Sequence, residues 1–346
     1  PEEAANFYKA NIKTLDSYCA SVAKQGCHFY GISPDFIQDD EKIRNYAKQL
    51  AIPMLLSKRE NVALKSLLKV DKYDTLADDL FINPVLNNST VVTPLDFEKM
   101  AETQKRESVE KWNEYFKESE KVILEMRDIV GSYTCKGKEP KTANTIREDI
   151  KAFDDFDKDM ANISTDYFDM PEEAQTEFRA NLKTQADFVR CASKTKKPRN
   201  MKGMEGLSEA IKKMEDLYSQ ISKILNYFEN YKIVLEAFKL VDEFQKEINS
   251  FKRKSGILTF ADIAQIALLT LKEHPEIRQV EKEKYKAIMI DEFQDNNKTQ
   301  RDMLFMLAEK LDRKETGVPE AKDLIEDKLF FVGDEKQSIY QIGRAS

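Results

Sequence analysis

Between Gly206 and Gly256 the chain contains neither glycine nor proline, the two residues that most often end a helix. Apolar residues recur through this stretch at the three- and four-residue spacing of one helical face. They are Ile211, Met214, Leu217, Ile221, Ile224, Phe228, Tyr231, Leu235, Phe238 and Phe251. The stretch therefore predicts one or two long amphipathic helices, packed through this stripe as part of an antiparallel bundle.

The whole chain shares this bias towards long helices. Glycine and proline number 10 each among 346 residues, roughly half their average share. This composition excludes collagen and an all-β sandwich with turns rich in glycine and proline. The formal net charge is −7, so local basic patches, and not the charge of the whole protein, would have to hold a DNA partner.

The pattern of residues divides the chain into three parts. Residues 1–30 are mixed, with a short strand expected over 10–13 and a helix from about Leu15. Residues 31–253 are expected to be almost entirely helical. Residues 254–346 alternate between helical and strand patterns. At about 150 residues per domain, the length suggests roughly two domains.

The helical part contains the start of a long helix near Thr93 and a basic loop over 193–206. Thr93 and Pro94 have the residue types preferred at the N-cap and the first position of a helix, so a long helix is expected to start there. A basic loop is expected over 193–206, with the side chains of Lys194, Lys196, Lys197, Arg199 and Lys202 against one acid, Glu205. It either contacts DNA phosphates or is a solvated connection, and the sequence leaves both open.

The most informative stretch is the apolar run 287–290 and the acidic residues that follow it. Four apolar residues without alternation predict a strand buried on both faces, as in a parallel sheet. Asp291 and Glu292 follow at its carboxyl end, where open α/β sheets bind ligands. A second apolar strand is expected over 328–332, ending in Gly333. A strand that meets a helix cap would also explain an Asp-Glu pair, so this pair alone does not decide the function.

The surrounding residues strengthen the functional interpretation. Asp291–Asp295 followed by Gly333–Tyr340 resembles motifs II and III of superfamily 1 DNA helicases of the UvrD/Rep type. Residues 10–19 look like motif Ib of the RecB and AddA relatives, with a similar phrase following at Gly31–Phe36. Leu258–Ile263 looks like the segment that returns the chain to the motor domain before motif II.

The resemblance implies a fold and a division of the chain. The fold would be mostly α, with a partial α/β RecA-like domain of the P-loop NTPase class and a large helical insertion resembling subdomain 1B. Residues 1–30 and 254–346 would belong to the first RecA-like domain, and residues 31–253 would form the insertion.

The resemblance also implies roles for individual residues. Asp291 would support Mg²⁺ through water, Glu292 would be the general base for ATP hydrolysis, and Gln337 would sense the γ-phosphate. The residues expected to orient this site are Gln294, Asp295 and Asp334; for Asp295, plain capping is an equally weighted alternative. The residues expected on the DNA are Thr14, Ser17, Tyr18, Tyr340 and Arg344. The charge of the basic loop, and not the resemblance, adds Lys196, Lys197 and Arg199 to them. Tyr18 and Tyr340 could instead be packing residues.

The sequence departs from the family pattern in ways that limit these expectations. No G-x-x-x-x-G-K-[ST] phosphate-binding loop occurs in the 346 residues, and no second RecA-like domain follows motif III. After Tyr340, Ile342 and Gly343 replace an aromatic residue and an arginine, and Arg344 stands one residue late. We therefore expect a fragment that does not hydrolyse ATP by itself.

The function implied is that of an ATP-dependent DNA helicase or translocase of recombination and repair. Its cofactors would be ATP and Mg²⁺, its substrates single-stranded and duplex DNA, and its partners proteins like RecC and RecD or like AddB. Two alternatives stay open: a DNA-binding or partner-docking module without catalysis, and a degenerate helicase-like subunit. The sequence shows no secretory leader and no apolar run of membrane-spanning length, so a cytoplasmic location away from membranes is expected.

Overall fold

The computed structural model of the protein describes residues 12–133, 141–151, 162–195, 204 and 206–333; within 141–151 it describes side chains from 143 to 148. Helices make up 73% of the described residues, which confirms the mostly α fold. None of the described helices is long and apolar enough to cross a membrane.

The helices and strands below are those of the described residues. In chain order they are α1 (Leu15–Gly26), a 3₁₀ helix (Cys27–Tyr30), β1 (Ile37–Gln38), α2 (Asp40–Ser57), α3 (Val62–Leu67), α4 (Tyr73–Leu76), a π-helix (Ala77–Ile82), α5 (Asn83–Asn88), α6 (Phe97–Gly131), α7 (Lys141–Lys151), a 3₁₀ helix (Thr165–Asp169), α8 (Glu172–Ser193), α9 (Leu207–Ser255), β2 (Ile257–Leu258), α10 (Phe260–Glu273), α11 (Pro275–Glu283), β3 (Ile288–Ile290), a 3₁₀ helix (Phe293–Asp295), α12 (Lys298–Ala308), a 3₁₀ helix (Ala321–Asp323) and β4 (Leu329–Phe331).

The chain forms two compact units. Unit 1 comprises Pro1–Leu95 and Lys239–Ser346, and unit 2 comprises Asp96–Phe238. Helix α9 begins in unit 2 and ends in unit 1. The boundaries of these units, after Leu95 and after Phe238, differ from the expected boundaries after residues 30 and 253. The expected division into a RecA-like domain and an insertion stays a prediction.

Unit 2 is a helical assembly around one apolar core. The core contains Trp112 and Phe116 of α6, Leu182 of α8 and Ile221 and Phe228 of α9. The stripe predicted for α9 faces this core: Ile211, Met214, Ile221, Phe228 and Tyr231 are buried, and Leu217, Ile224 and Leu235 are half-buried against it. Helix α9 runs unbroken for 49 residues. The breaker-free stretch is therefore a single helix, because nothing in it interrupts the backbone hydrogen bonds.

The predicted start of the first long helix in this unit was wrong by three residues. Helix α6 begins at Phe97, and its N-cap is Asp96, whose carboxylate accepts a hydrogen bond from the Lys99 amide at 2.9 Å. Thr93 instead lies in the irregular segment before the helix. A carboxylate cap also interacts favourably with the positive end of the helix, which explains why Asp96 is used.

Unit 1 is built on α1 and α10, which pack side by side. Their apolar faces share a core with α12, to which Cys19, Val22, Ile266, Ala267 and Met303 contribute. The start of α1 at Leu15 confirms the helix expected there. Of the strand expected over 10–13, residues 12 and 13 are described and have no regular structure, so that prediction was wrong for them.

Two short parallel strand pairs complete unit 1. Strand β1 pairs with β2 (Ile37 opposite Ile257), and β3 pairs with β4 (Ile288 opposite Leu329). Strand β1 is the one strand among the described residues of 31–253, a stretch expected to be almost entirely helical. Strand β1 is joined to the residue before β2 by a hydrogen bond that the Ile37 amide donates to the Gly256 carbonyl at 2.9 Å.

The contact between α1 and α10 requires a glycine. A Cβ atom placed on Gly26 would lie 2.1 Å from Oγ1 and 2.4 Å from Cγ2 of Thr270. We expect Gly26→Ala to lower the free energy of unfolding of unit 1 by about 1–3 kcal/mol, the usual cost of overpacking a core. Chemical denaturation followed by circular dichroism measures this change.

Gly131→Ala is the matched control, since a Cβ atom there meets nothing within 4 Å. Adding Thr270→Ala to Gly26→Ala should restore part of the lost stability by making room. Wild-type stability in Gly26→Ala alone would show that the two helices are not in this close contact.

Candidate functional site

Strands β3 and β4 bring the acidic residues after β3 and Gly333 after β4 to one edge of their sheet. The Val332 amide donates to the Ile290 carbonyl at 2.8 Å, and the Phe293 amide donates to the Val332 carbonyl at 3.0 Å. Because the strands are parallel, their carboxyl ends coincide. Asp291 and Glu292 therefore lie next to Gly333, as the sequence predicted for two neighbouring parallel strands.

The backbone at Glu292 is strained. Its φ of 50° and ψ of 43° are left-handed, a conformation that costs a non-glycine residue on the order of 1 kcal/mol. The turn ends β3 abruptly and leads into the 3₁₀ helix Phe293–Asp295. Such strain persists where the surrounding structure imposes it, and it is concentrated at functional sites.

The two acidic side chains of this turn are exposed to solvent. The Asp291 carboxylate accepts a hydrogen bond from the Glu292 amide at 3.0 Å, and the Glu292 carboxylate accepts one from Nε2 of Gln294. Asp295 is also exposed, and its amide donates to the Glu292 carbonyl at 3.0 Å. Its expected role in orienting the site stays a prediction.

This donor set fits magnesium bound with a nucleotide. Magnesium commonly uses one or two protein carboxylates and takes its other ligands from water and phosphate. Asp291 is one such carboxylate, exposed at a strand end, which leaves the neighbouring Glu292 carboxylate free to act as a base. Among the described residues, no group of three or more His, Cys, Asp or Glu side chains could enclose a metal ion.

A buried ionic cluster fixes the connection between α12 and β4. Glu309 is fully buried and accepts hydrogen bonds from Nζ of Lys282 at 3.1 Å and Nη1 of Arg313 at 2.7 Å. It also forms an ion pair with Nε of Arg278 at 3.1 Å. Lys282 also donates to the carbonyls of Lys310 and Arg313. Burial lowers the pKa of Arg278, against the opposite effect of Glu309.

The same cluster reaches the first residue before β4. Lys328 is buried and donates to the Lys282 carbonyl at 2.7 Å. Burial lowers the pKa of Lys328, and the nearby charge of Lys282 lowers it further. The sequence analysis did not predict this cluster. Its members lie up to 50 residues apart in the chain, and none of them can be distinguished from a surface charge by its sequence neighbours.

The motif Ib residues lie at the start of α1. Thr14 is the N-cap, and its hydroxyl accepts from the Ser17 amide at 3.2 Å. Both Thr14 and Ser17 are exposed. A cavity of about 150 Å³ is lined by Thr14 and by the strand residues Ile288 and Met289, so the start of α1 lies near β3.

Tyr18 has a different environment from the one expected of a DNA-stacking residue. Its side chain is only 5% exposed, and its hydroxyl donates to Glu281 at 3.0 Å. Burial raises the pKa of this hydroxyl, and the Glu281 carboxylate adds to the effect. This packing argues against a stacked base on Tyr18, and it agrees with the alternative of a core aromatic residue.

The segment Leu258–Ile263 has a structural role that explains its acidic residue. Asp262 forms a capping box with Thr259 at the start of α10. It also accepts from the Val91 amide at 2.7 Å and forms an ion pair with Lys252 at 2.8 Å, both side chains being almost fully buried. Asp262 thus joins the end of α9, the start of α10 and the segment before α6.

The other predicted site residues lie outside the described residues. For motif III and its end these are Asp334, Gln337, Tyr340 and Arg344; for the basic loop they are Lys196, Lys197 and Arg199. Their roles stay predictions.

Comparison with known proteins shows which family the chain belongs to. The family model of the UvrD/REP helicase N-terminal domain matches residues 2–346. An ATP-dependent helicase/nuclease subunit of Clostridium acetobutylicum is 25% identical over 98% of this chain and 29% of that protein. The exonuclease/helicase subunit RexA of Lactococcus lactis is 26% identical over 97% of this chain and 28% of that protein.

A shorter match has higher identity. An ATP-dependent helicase/nuclease subunit of Streptococcus mutans is 38% identical over 112 residues, which are 32% of this chain and 8% of that protein. The chain spans less than a third of the length of these relatives. The match over nearly all of its residues shows that the chain belongs to the UvrD/REP helicase N-terminal domain family.

Proposed function

We propose that this chain is the part of an ATP-dependent DNA helicase of recombination and repair that carries motifs Ib, II and III. The observation that carries the proposal is the parallel pairing of β3 and β4, which places Asp291 and Glu292 beside Gly333 at one sheet edge. The names of the relatives, helicase/nuclease subunits, support the same function.

Each residue of the proposed site has a chemical task. Asp291 would hold Mg²⁺, and Glu292 would act as the general base that takes a proton from the attacking water. Gln337 would sense the γ-phosphate, a role that suits an amide because it both donates and accepts hydrogen bonds. Gln294, Asp295 and Asp334 orient these groups. Magnesium, when bound with ATP, neutralises phosphate charge.

The exposed faces of β3 and β4 support a site completed by other parts of a longer protein. Parallel sheets are normally covered on both faces, yet Met289 of β3 is 76% exposed and Phe331 of β4 is 42% exposed. In our proposal further strands cover them, and the phosphate-binding loop comes from outside these 346 residues. Residues 1–30 and 254–346 then form part of the RecA-like domain, and residues 31–253 form the 1B-like insertion.

The proposed partners follow from the same site. The hydroxyls of Thr14 and Ser17 are exposed at the N-terminus of α1, where phosphate oxygens are favoured. We place single-stranded DNA there and duplex DNA ahead of it. The names of the relatives, which are subunits, support a complex with a second protein, such as one like AddB.

A hydrolysis assay tests the proposal. We expect the full-length protein to hydrolyse ATP with a rate that single-stranded DNA stimulates. The 346-residue chain by itself should show no turnover above background, because the phosphate-binding loop is not in it. Robust hydrolysis by the chain alone, or no hydrolysis by the full-length protein with DNA, would refute the proposal.

A further inference from the structure

Gln294 connects the turn after β3 with the end of β4. Its Nε2 donates a hydrogen bond to the Glu292 carboxylate. Glu292 is exposed to solvent. This hydrogen bond therefore restricts where the carboxylate points.

The other end of the same carboxamide lies against Gly333. A Cβ atom placed on Gly333 would stand 2.2 Å from Oε1 and 3.4 Å from Cδ of Gln294. The side chain of Gln294 therefore occupies the space that any residue other than glycine would need at position 333.

The backbone around this contact has little room to yield. The Phe293 amide is bonded to the Val332 carbonyl, and the Phe293 and Phe331 rings stack with centroids 3.9 Å apart. The same Cβ atom on Gly333 would lie 3.3 Å from the Phe293 nitrogen. A side chain at position 333 would thus displace the flexible end of Gln294 before it moved the strands.

We propose that Gln294 is a positioning residue that holds the Glu292 carboxylate in place for hydrolysis, and that Gly333 is required because a side chain there would push Gln294 away from Glu292. The inference rests on the proposed function, in which Glu292 is the general base. In this inference, Gly333 affects the position of the Glu292 carboxylate through Gln294, not through a contact of its own with Glu292.

The experiment uses steady-state ATP hydrolysis by the full-length protein in the presence of single-stranded DNA. We expect Gln294→Ala and Gly333→Ala each to lower kcat by roughly ten- to hundredfold, the range for loss of a hydrogen bond to a charged group. The KM for ATP should stay nearly unchanged, because neither residue binds the nucleotide. Gln294→Glu, which keeps the shape but cannot donate, should be as impaired as Gln294→Ala.

The double variant gives the sharpest result. If Gly333→Ala acts only by displacing Gln294, Gln294→Ala with Gly333→Ala should have the same kcat as Gln294→Ala alone, and the effects should not multiply. Gly131→Ala and Gln265→Ala are the matched controls with expected wild-type rates. Thermal melting of every variant checks that the fold is retained.

Three results would overturn the inference: a wild-type kcat in Gly333→Ala, a wild-type kcat in Gln294→Glu, or multiplied losses in the double variant. Gln294→Glu keeps the test valid should Gly333→Ala fail to fold. A failure of the proposed function looks different, because hydrolysis would then survive Glu292→Gln. Loss of hydrolysis in Glu292→Gln with normal Gln294 variants contradicts this inference alone.

Discussion

Replacing Glu292 with glutamine should abolish ATP hydrolysis by the full-length protein and leave ATP binding intact. The amide has nearly the same shape as the carboxylate but cannot accept the proton of the attacking water. Loss of a general base typically lowers kcat by about 10²- to 10⁴-fold. Phosphate release under saturating ATP measures the loss, and binding of a fluorescent ATP analogue checks the affinity.

Glu276→Gln serves as the matched control for this variant. Glu276 is an exposed glutamate on α11 that pairs with Nδ1 of His274 at 3.3 Å, and its replacement should not change the rate. Hydrolysis that is unaffected by Glu292→Gln would contradict the proposed function and favour a degenerate helicase-like subunit.

Replacing Glu309 with alanine should produce the largest loss of stability. The change would leave Arg278 and Lys282, each 1% exposed, without their common buried carboxylate. Removing one partner of a buried ion pair costs about 3–5 kcal/mol, because the remaining charge is desolvated and uncompensated. Hydrogen–deuterium exchange should increase in α11, in α12 and in the connection to β4.

Two comparisons make the prediction about Glu309 specific. Glu315→Ala removes a carboxylate that is 82% exposed and pairs with Arg313 at 3.4 Å, so its effect should be near zero. The chain has one tryptophan, Trp112, which is buried in unit 2. The fluorescence of Trp112 should change little in Glu309→Ala. If this fluorescence changed as much as the hydrogen–deuterium exchange of α11 and α12, the result would argue against a local role of Glu309.

The local elements of the fold were largely predictable. Helix α9 follows from a stretch that contains no breaker between Gly206 and Gly256, since an unbroken backbone and one apolar face suffice to define it. Strands β3 and β4 follow from apolar runs that end in Asp291 and Gly333. The error at Thr93 has a simple cause: Asp96 offers a competing cap three residues later, and local propensity does not rank the two.

Buried polar groups were much harder to foresee. Tyr18 has the residue type of a stacking residue, but contact with Glu281, 263 residues away in sequence, gives it a packing role. Asp262 was noticed as part of a family phrase, whereas its partner Lys252 explains why an acid is needed there. No property of an isolated segment distinguishes such residues from surface charges.

The sequence alone therefore determined the helices, the strand ends and the order of acidic and amide residues that point to a nucleotide site. Only the tertiary structure decided which of these residues meet. The pairing of β3 with β4 sets Gln294 against Gly333, and the packing of α11 against the end of α12 encloses Glu309. Helices and strands arise from contacts within a few residues, whereas burial and charge pairing depend on segments that approach only when the chain is folded.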